Sequence, residues 1–489
     1  MEKLQIEPRE VFDFFQKIAS IPHGSFNTKE LSDYLVDFAK DRNLEYYQDE
    51  VGNVIISKPA TAGYEDSEPV MIQGHIDMVC EQTPDSKIDM TKDGLELYID
   101  GDMLRAKDTT LGGDDGIAVA MALAILDKDC YKHPKLDCVF TVDEEVGLIG
   151  AAAIDVSKIE ARKMINIDSE EEGVITVSCA GGVSATAIIP IKREEKEGLI
   201  YKIGIEGLLG GHSGIEIGKE HGNANILMGR VLYELAEKVD YKLIEVNGGN
   251  KDNAICKKAD AKILISNDCE NELKKEISRI SEEISHELRV PDPSFNLKLE
   301  KDSWAAENAL KSVKVFDEES KGKLITWLMN TPYGIQHMSK EIEGLVETSL
   351  NLGALKTFED KFTALYSVRS SIDTRRDNIC HKLDNLAKIM GGKVEYSGAY
   401  PGWEYRADSS LREICVNVYK EQYKKEPRVE AIHAGLECGL FAGKMDDGNF
   451  DAVSIGPHME GVHTSDESLS ISSVERTWKY LLGILEACK

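Results

Sequence analysis

The sequence predicts an α/β domain interrupted by a long α+β insertion, and three observations carry that prediction. Ahead of Gly181-Gly182, short apolar runs alternate with helical stretches, the pattern of a sheet covered by helices on both faces. From there the texture changes to a strand-rich order resembling a split βαββαβ layer with its helices on one face. Beyond Gly391-Gly392 the chain regains its earlier character. The length of 489 residues agrees, since at roughly 150 residues per domain it corresponds to about three units or one large domain carrying an insertion.

From Val11 to Arg42, apolar residues recur at spacings of three and four, giving two amphipathic helices around the turn Ile21-Pro22-His23-Gly24. Val54–Ile56, Val70–Ile72, Leu136–Val142, Met164–Ile167 and Val174–Val177 read as strands, Gly116–Lys128 and Gly147–Ile154 as helices. In the insertion the order is strand Ser184–Ile191, charged turn Arg193–Gly198, strand Leu199–Ile205, helix Asn223–Val239, strands Tyr241–Val246 and Ala254–Ile265, and helix Glu270–Leu288. A second set follows: helix Asp317–Met329, strands Leu345–Leu352 and Phe362–Ser370, and helix Thr374–Met390. Helix Ser409–Tyr423 and strand Ala452–Ile455 belong to the returning part.

Lys and Arg total 58 and Asp and Glu 87, a formal charge of −29. That excess argues against nucleic acid or an anionic membrane surface as partner. The start of the chain lacks a basic region followed by an apolar run, so it does not read as a secretory signal. The longest apolar stretch, Ile117–Leu126, is about half of what a membrane span needs. Ten cysteines without CxxC spacing read as reduced, buried small residues. These features place the protein in the cytoplasm.

Five segments concentrate acids and histidines at strand ends. In Gly74-His75-Ile76-Asp77 the two polar side chains leave an extended chain on one side. They read either as a solvated pair or as a metal-bound imidazole oriented by a carboxylate. In Leu111-Gly112-Gly113-Asp114-Asp115-Gly116, capping of the following helix accounts for one aspartate. The second invites bridging between two cations; a phosphate-cradling loop is the competing reading, opposed by the doubled acid. Asp143-Glu144-Glu145 ends a buried strand with three acids, whose repulsion is costly unless cations or a shared proton relieve it; the alternative is a solvated turn. Asp168 ends another strand, and the Glu170-Glu171-Glu172 run behind it reads as solvated loop. Last, Ser454–Glu467 passes from a strand into a glycine-bearing loop with His458 and His463, each of which also reads as a surface histidine.

Taken together, His75, Asp114, Glu145, Asp168 and His463 supply two imidazoles and three carboxylates. Shared between two cations with Asp114 bridging, they give each metal a histidine, a terminal carboxylate and half of the bridge. A position is left for water. Mixed N/O ligation suits Zn²⁺, with Co²⁺ or Mn²⁺ as possible occupants, and Glu144 stays free as a general base.

This set resembles the M20 family of co-catalytic metallopeptidases across essentially the whole chain. The matching pieces are Gly74–Asp77, Leu111–Gly116, Asp143–Gly147, Asn166-Ile167-Asp168, Gly210-Gly211-His212-Ser213-Gly214 and Gly461-Val462-His463. Asp168–Gly173 and His433–Gly439 look most like the bacterial aminoacyl-histidine dipeptidases, the carnosinase-like branch. Where bacterial members often have Ala-Asp-Asn-Gly, this chain has Gly113-Asp114-Asp115-Gly116, so the bridge falls to Asp114 by position while Asp115 is its chemical equal. The resemblance implies a zinc-peptidase catalytic domain in two parts, 1–183 and 394–489, around a lid and dimerisation domain, 184–393. It implies that His75 and Asp168 hold one zinc, Glu145 and His463 the other, and that Asp77 orients His75. Glu144 would deprotonate the bridging water and later protonate the leaving amine. His212 matches the lid histidine that stabilises the oxyanion, in cis or across the interface of a homodimer. Arg369 is the candidate for the substrate carboxylate and Asn253 lines the same pocket; each also reads as a structural lid residue. The implied activity is hydrolysis of small peptides, Xaa-His dipeptides foremost. Hydrolysis of N-acyl amino acids and a non-catalytic metal-binding protein of the same fold are the alternatives.

Overall fold

Three apolar runs, in Val70–His75, Leu136–Thr141 and Lys163–Asn166, pair in parallel in the computed structural model, which describes residues 4–302, 312–445 and 448–489. They belong to the first of two units into which the chain divides. That unit comprises the residues up to Cys179, Trp403–Ala431 and Leu436–Lys489; the second comprises Ala180–Gly402 and Ile432–Gly435.

Among its described residues the first unit is built on an eight-stranded mixed sheet. The order is Glu45–Gln48, Val54–Lys58, Leu136–Thr141, Val70–His75, Lys163–Asn166, Asp451–Ser454, Val174–Cys179 and Arg428–Ile432. Every residue of Val70–His75 and of Leu136–Thr141 is buried, as continuous apolar runs in parallel strands require. Their carboxyl ends, where an α/β sheet presents its ligand-binding loops, release the chain at His75, at Asp143–Glu145 and at Asp168. The helix Gly113–Asp127 is buried along nearly its whole length, which explains why its sequence is apolar all round rather than amphipathic. Helix Ile471–Ala487, absent from the expectations above, buries Val474, Trp478, Leu481 and Leu485 at helical spacing, and its Ser470 cap accepts from the Ser473 N–H.

The second unit carries a nine-stranded sheet among its described residues. The order is Asn296–Lys301, Leu199–Glu206, Ala259–Ile265, Tyr241–Gly248, Val346–Thr357, Lys361–Ser370, Gly181–Pro190 and Lys393–Tyr400, with Gly334–Met338 paired beside Val346–Thr357. Both sets of elements expected in the insertion share this sheet and one core, in which helices Ala224–Ala236, Glu270–Glu287, Glu318–Asn330 and Asp373–Ile389 bury their apolar faces. At its centre the Trp327 indole N–H donates to the Tyr366 hydroxyl at 2.7 Å, so the polar edges of two large buried rings satisfy each other.

Several expectations change. The charged run at Arg193 forms the strand Arg193–Lys196, paired with Val313–Phe316 rather than turning. The Arg193 guanidinium lies 4.9 Å from the Phe316 ring and donates to the Ile244 and Phe358 carbonyls, contacts a local pattern does not reveal. Ala254–Ile265 divides into Ala254–Ile255 and Ala259–Ile265. The helix expected over Gly147–Ile154 shortens to Ile149–Ala153, because Asp143, Gly147 and Leu148 take positive φ in a turn. The first unit resumes at Trp403 rather than at residue 394, since Lys393–Tyr400 pairs with Gly181–Pro190 in the second unit's sheet. No helix among the described residues is long and apolar enough to cross a membrane.

Candidate metal centre

Three strand ends, the first turn of helix Gly113–Asp127 and the loop after Met459–Glu460 bring five side chains of the first unit to one place. His75, 1% exposed, has Nε2 3.0 Å from Asp114 Oδ1 and 3.7 Å from Asp168 Oδ1. His463 Nε2 lies 3.1 Å from the other oxygen of Asp114 and 2.9 Å from Glu145 Oε1. Asp114 therefore stands between the two imidazoles, one oxygen toward each. Ligand atoms of His75, Asp114 and Glu145 lie within 4.8 Å of one another, as do those of His75, Asp115 and Asp168.

The surroundings fix this geometry. The His75 Nδ1–H donates to the Asp77 carbonyl at 2.9 Å, which leaves Nε2 free to face Asp114. Asp77 accepts the Glu144 N–H at 2.9 Å on one oxygen and the Ser25 hydroxyl at 2.8 Å on the other. One buried carboxylate thus ties the His75 strand to the turn carrying Glu144 and Glu145. Glu467 does the same for Asp114: its Oε2 accepts from the Leu111 N–H at 2.9 Å and its Oε1 from the Gly113 N–H at 2.8 Å. A carboxylate gripping successive N–H groups ahead of a helix is favoured by their aligned dipoles. Gly112 takes φ 67° at this point, a left-handed conformation glycine adopts without strain.

Acids dominate the electrostatics. Burial pushes Asp168 up to about 8, with the neighbouring Asp114 adding to the shift. Burial, then Asp168, Glu437 and Glu145, hold Glu144 well above the carboxylate range. Burial opposes charge on His75, yet Asp114, Asp168 and Asp77 outweigh it and raise the imidazole well above its ordinary value. Asp114 and Glu145 lift His463 to about 11. Asp115 is fully buried, neither of its oxygens has a hydrogen-bond partner, and burial drives its carboxyl upward. A cluster with this donor set and this surplus of negative charge fits divalent cations, which supply the positive charge that its own side chains lack.

Sequence reasoning missed three groups. Glu437 is fully buried, accepts from the Thr141 hydroxyl at 2.6 Å and from Gln73, and is pushed up by burial to about 7. Gln73 in turn accepts from the Asn166 amide at 2.7 Å, so a polar network lies beneath the His75 and Asp168 strands. Glu467 is the second, and His433, in the other unit, the third. Their partners are hundreds of residues away or on unrelated strands, so no local spacing announces them. The Glu170–Glu172 run is not wholly solvated either: Glu172 holds Arg476 through two hydrogen bonds, 2.6 and 2.7 Å.

His212, Asn253 and Arg369 all lie in the second unit. His212 sits on the short strand Gly211–His212, opposite Ala254. Its Nδ1 accepts the Gly214 and Ile215 N–H groups, each at 3.3 Å, so in the neutral ring the proton resides on Nε2. Burial and the Arg369 charge lower its pKa and keep it neutral. Asn253 is exposed, and its carbonyl accepts the Ser213 N–H at 2.8 Å. Arg369 is 8% exposed and donates to the Tyr400 hydroxyl at 3.1 Å.

Comparison with known proteins adds four findings. The M20 peptidase dimerisation domain family matches residues 203–290. The cytosol non-specific dipeptidase of Escherichia coli is 40% identical over 487 residues, 99% of each chain. The crystal structure of aminoacylhistidine dipeptidase from Vibrio alginolyticus superposes with a TM-score of 0.92 at 36% identity, covering 100% of this chain and 98% of that one. An aminopeptidase from Bacillus cereus, 16% identical with a TM-score of 0.57 over 99% of both chains, shares the fold.

Proposed function

This chain belongs to the M20 family of metallopeptidases, and from that premise we propose that it is a cytosolic dipeptidase with two zinc ions, acting on Xaa-His dipeptides among others. The observation that carries the reading is the placement of Asp114, with one oxygen 3.0 Å from His75 and the other 3.1 Å from His463. The dipeptidase and cytosol assignments of its relatives support the substrate class and the compartment.

His75 and Asp168 would hold one cation, Glu145 and His463 the other, and Asp114 both. When bound, the cations lower the pKa of a water and polarise the scissile carbonyl. The remaining steps belong to side chains. Asp77 keeps the His75 tautomer and the 144–145 turn in place. Glu144 accepts the proton of the attacking water and passes it to the leaving amine. His212, neutral with its proton on Nε2, donates to the developing oxyanion. Arg369 takes the substrate carboxylate, with Asn253 beside it. Imidazole and carboxylate donors together suit Zn²⁺, and Co²⁺ or Mn²⁺ would occupy the same set. The domain at 203–290 supports a homodimer formed through the second unit, which serves as lid.

The test is a substrate panel of Xaa-His dipeptides, other dipeptides and N-acyl amino acids, assayed by release of free amino acid. Dipeptides turned over well ahead of N-acyl amino acids are expected. Preference for an N-acyl amino acid would overturn the dipeptidase reading.

A further inference from the structure

A closed ring of contacts in the second unit surrounds Arg369. Its guanidinium is almost fully buried, and among the described residues its Nε has no hydrogen-bond partner while its Nη1 donates to the Tyr400 hydroxyl. No carboxylate pairs with it among the described residues. Burying a cation without a counter-anion is costly, so this position suits an anion brought from outside. Ser349 is the direct cross-strand neighbour of Arg369, and the two side chains share one face of the sheet. The Ser349 hydroxyl lies 2.7 Å from His433 Nε2.

His433 comes from the four-residue segment Ile432–Gly435, which belongs to this unit although its flanking residues do not. The segment is stitched in place: the Ala180 N–H donates to the Ala434 carbonyl at 3.0 Å. A methyl group on Gly435 would lie 2.9 Å from the Tyr400 ring. One on Gly214 would lie 2.5 Å from the His433 carbonyl and 3.0 Å from the His212 ring. His212, His433, Ser349, Arg369 and Tyr400 therefore line one polar spot. Two imidazoles and a guanidinium meet there, and the acid that acts on them, Glu216, accepts the His212 backbone N–H at 2.8 Å rather than pairing with Arg369.

We infer that His433 is a substrate-binding residue, forming with Arg369 one subsite for the free α-carboxylate of the dipeptide; this rests on the dipeptidase reading above. With Ser349 donating to Nε2, the His433 proton sits on Nδ1 and is available to the anion. Arg369 keeps Nε and Nη2 for it, a side-on fork that matches a carboxylate. Burial, Arg369 and His212 hold His433 down to about 3, so at neutral pH it adds a hydrogen bond without a second charge.

The experiment compares a dipeptide with its C-terminal amide, using holoenzyme of the wild type, His433→Ala, His433→Asn and Ser349→Ala. His433→Ala should raise KM for the acid about tenfold or more, the loss expected for a hydrogen bond to a charged group. Its kcat should stay within about threefold and its KM for the amide should be unchanged, because the amide never used the subsite. His433→Asn, which keeps a donor near Nδ1, should recover part of the loss. Should His433→Ala fail to fold, Ser349→Ala carries the same acid-versus-amide test with a smaller rise. An unchanged KM for the acid, or equal losses on acid and amide, would overturn the inference and leave the dipeptidase reading standing. A wild type that cleaves no dipeptide would overturn both.

Discussion

The two polar centres of this chain are electrostatic opposites. In the first unit, Asp77, Asp114, Asp115, Glu144, Glu145, Asp168 and Glu437 crowd around His75 and His463, and Glu144 and Asp168 are raised above the ordinary carboxylate range. In the second, Arg369, His212 and His433 gather with no carboxylate paired to the guanidinium among the described residues, and both imidazoles are pushed down although Glu216 acts against this at His212. Each centre is short of one sign of charge, which fits the ligand proposed for it: cations in one, a substrate carboxylate in the other. A surplus of one sign, buried and left unpaired, marks a binding site where a balanced ion pair marks structure. Lys58 provides the contrast, since its buried ammonium spends its hydrogen bonds on the Ile125, Leu126 and Lys128 carbonyls at the end of a helix.

Substitutions in the two centres should fail differently. Glu144→Ala is expected to cost on the order of 10³ in kcat, the range for loss of a general base, while elemental analysis still finds two metals per chain. Activity near wild type would remove Glu144 from its role. His212→Ala should lose on the order of 10² in kcat with metal content and melting temperature unchanged, and a wild-type kcat would refute the oxyanion role. Asp77→Asn should weaken metal binding about tenfold, because it neutralises the carboxylate whose Oδ1 lies 3.5 Å from the His75 Nδ1 and supports that ring as a ligand. Competition with a chelator measures that shift, and equal affinity would show that the Glu144 and Ser25 contacts do not depend on the carboxylate.

The smallest effect is the acid response of the second unit. His433 has a folded-state pKa near 3 against an ordinary 6.5. The unfolded chain therefore binds the proton more readily, so stability is full above about 6.5 and is lost as pH falls toward 3. Thermal melts between pH 7 and pH 4 should show a shallower decline for His433→Gln than for the wild type. Parallel declines would mean that His433 does not titrate as its surroundings dictate.

How much of this was readable from sequence also differs between the centres. His75, Glu145 and Asp168 were legible because each follows an apolar run, and parallel strands deliver their carboxyl ends to one edge of a sheet; Asp114 and His463 were legible through the glycine-bearing segments that carry them. Glu437 and Glu467 were not, since their roles depend on Gln73, Thr141 and the Leu111–Gly113 backbone, some 296 to 364 residues away. His433 stood out in sequence only within a family-like segment; its chemistry appears when a sheet face brings Ser349 and Arg369 beside it. Among the strands, Lys393–Tyr400 escaped notice because it is an exposed edge with little apolar pattern. Arg193–Lys196 escaped because four charged residues in a row imitate a turn.

The central claim is that Asp114 joins two cation positions on which peptide hydrolysis depends. Stripping the enzyme with a chelator and adding Zn²⁺ back, while metal content and hydrolysis of an Xaa-His dipeptide are followed together, tests it most directly. Activity should rise from baseline and level off at two ions per chain. Hydrolysis by the metal-free protein, or full activity with a single ion per chain, would contradict it.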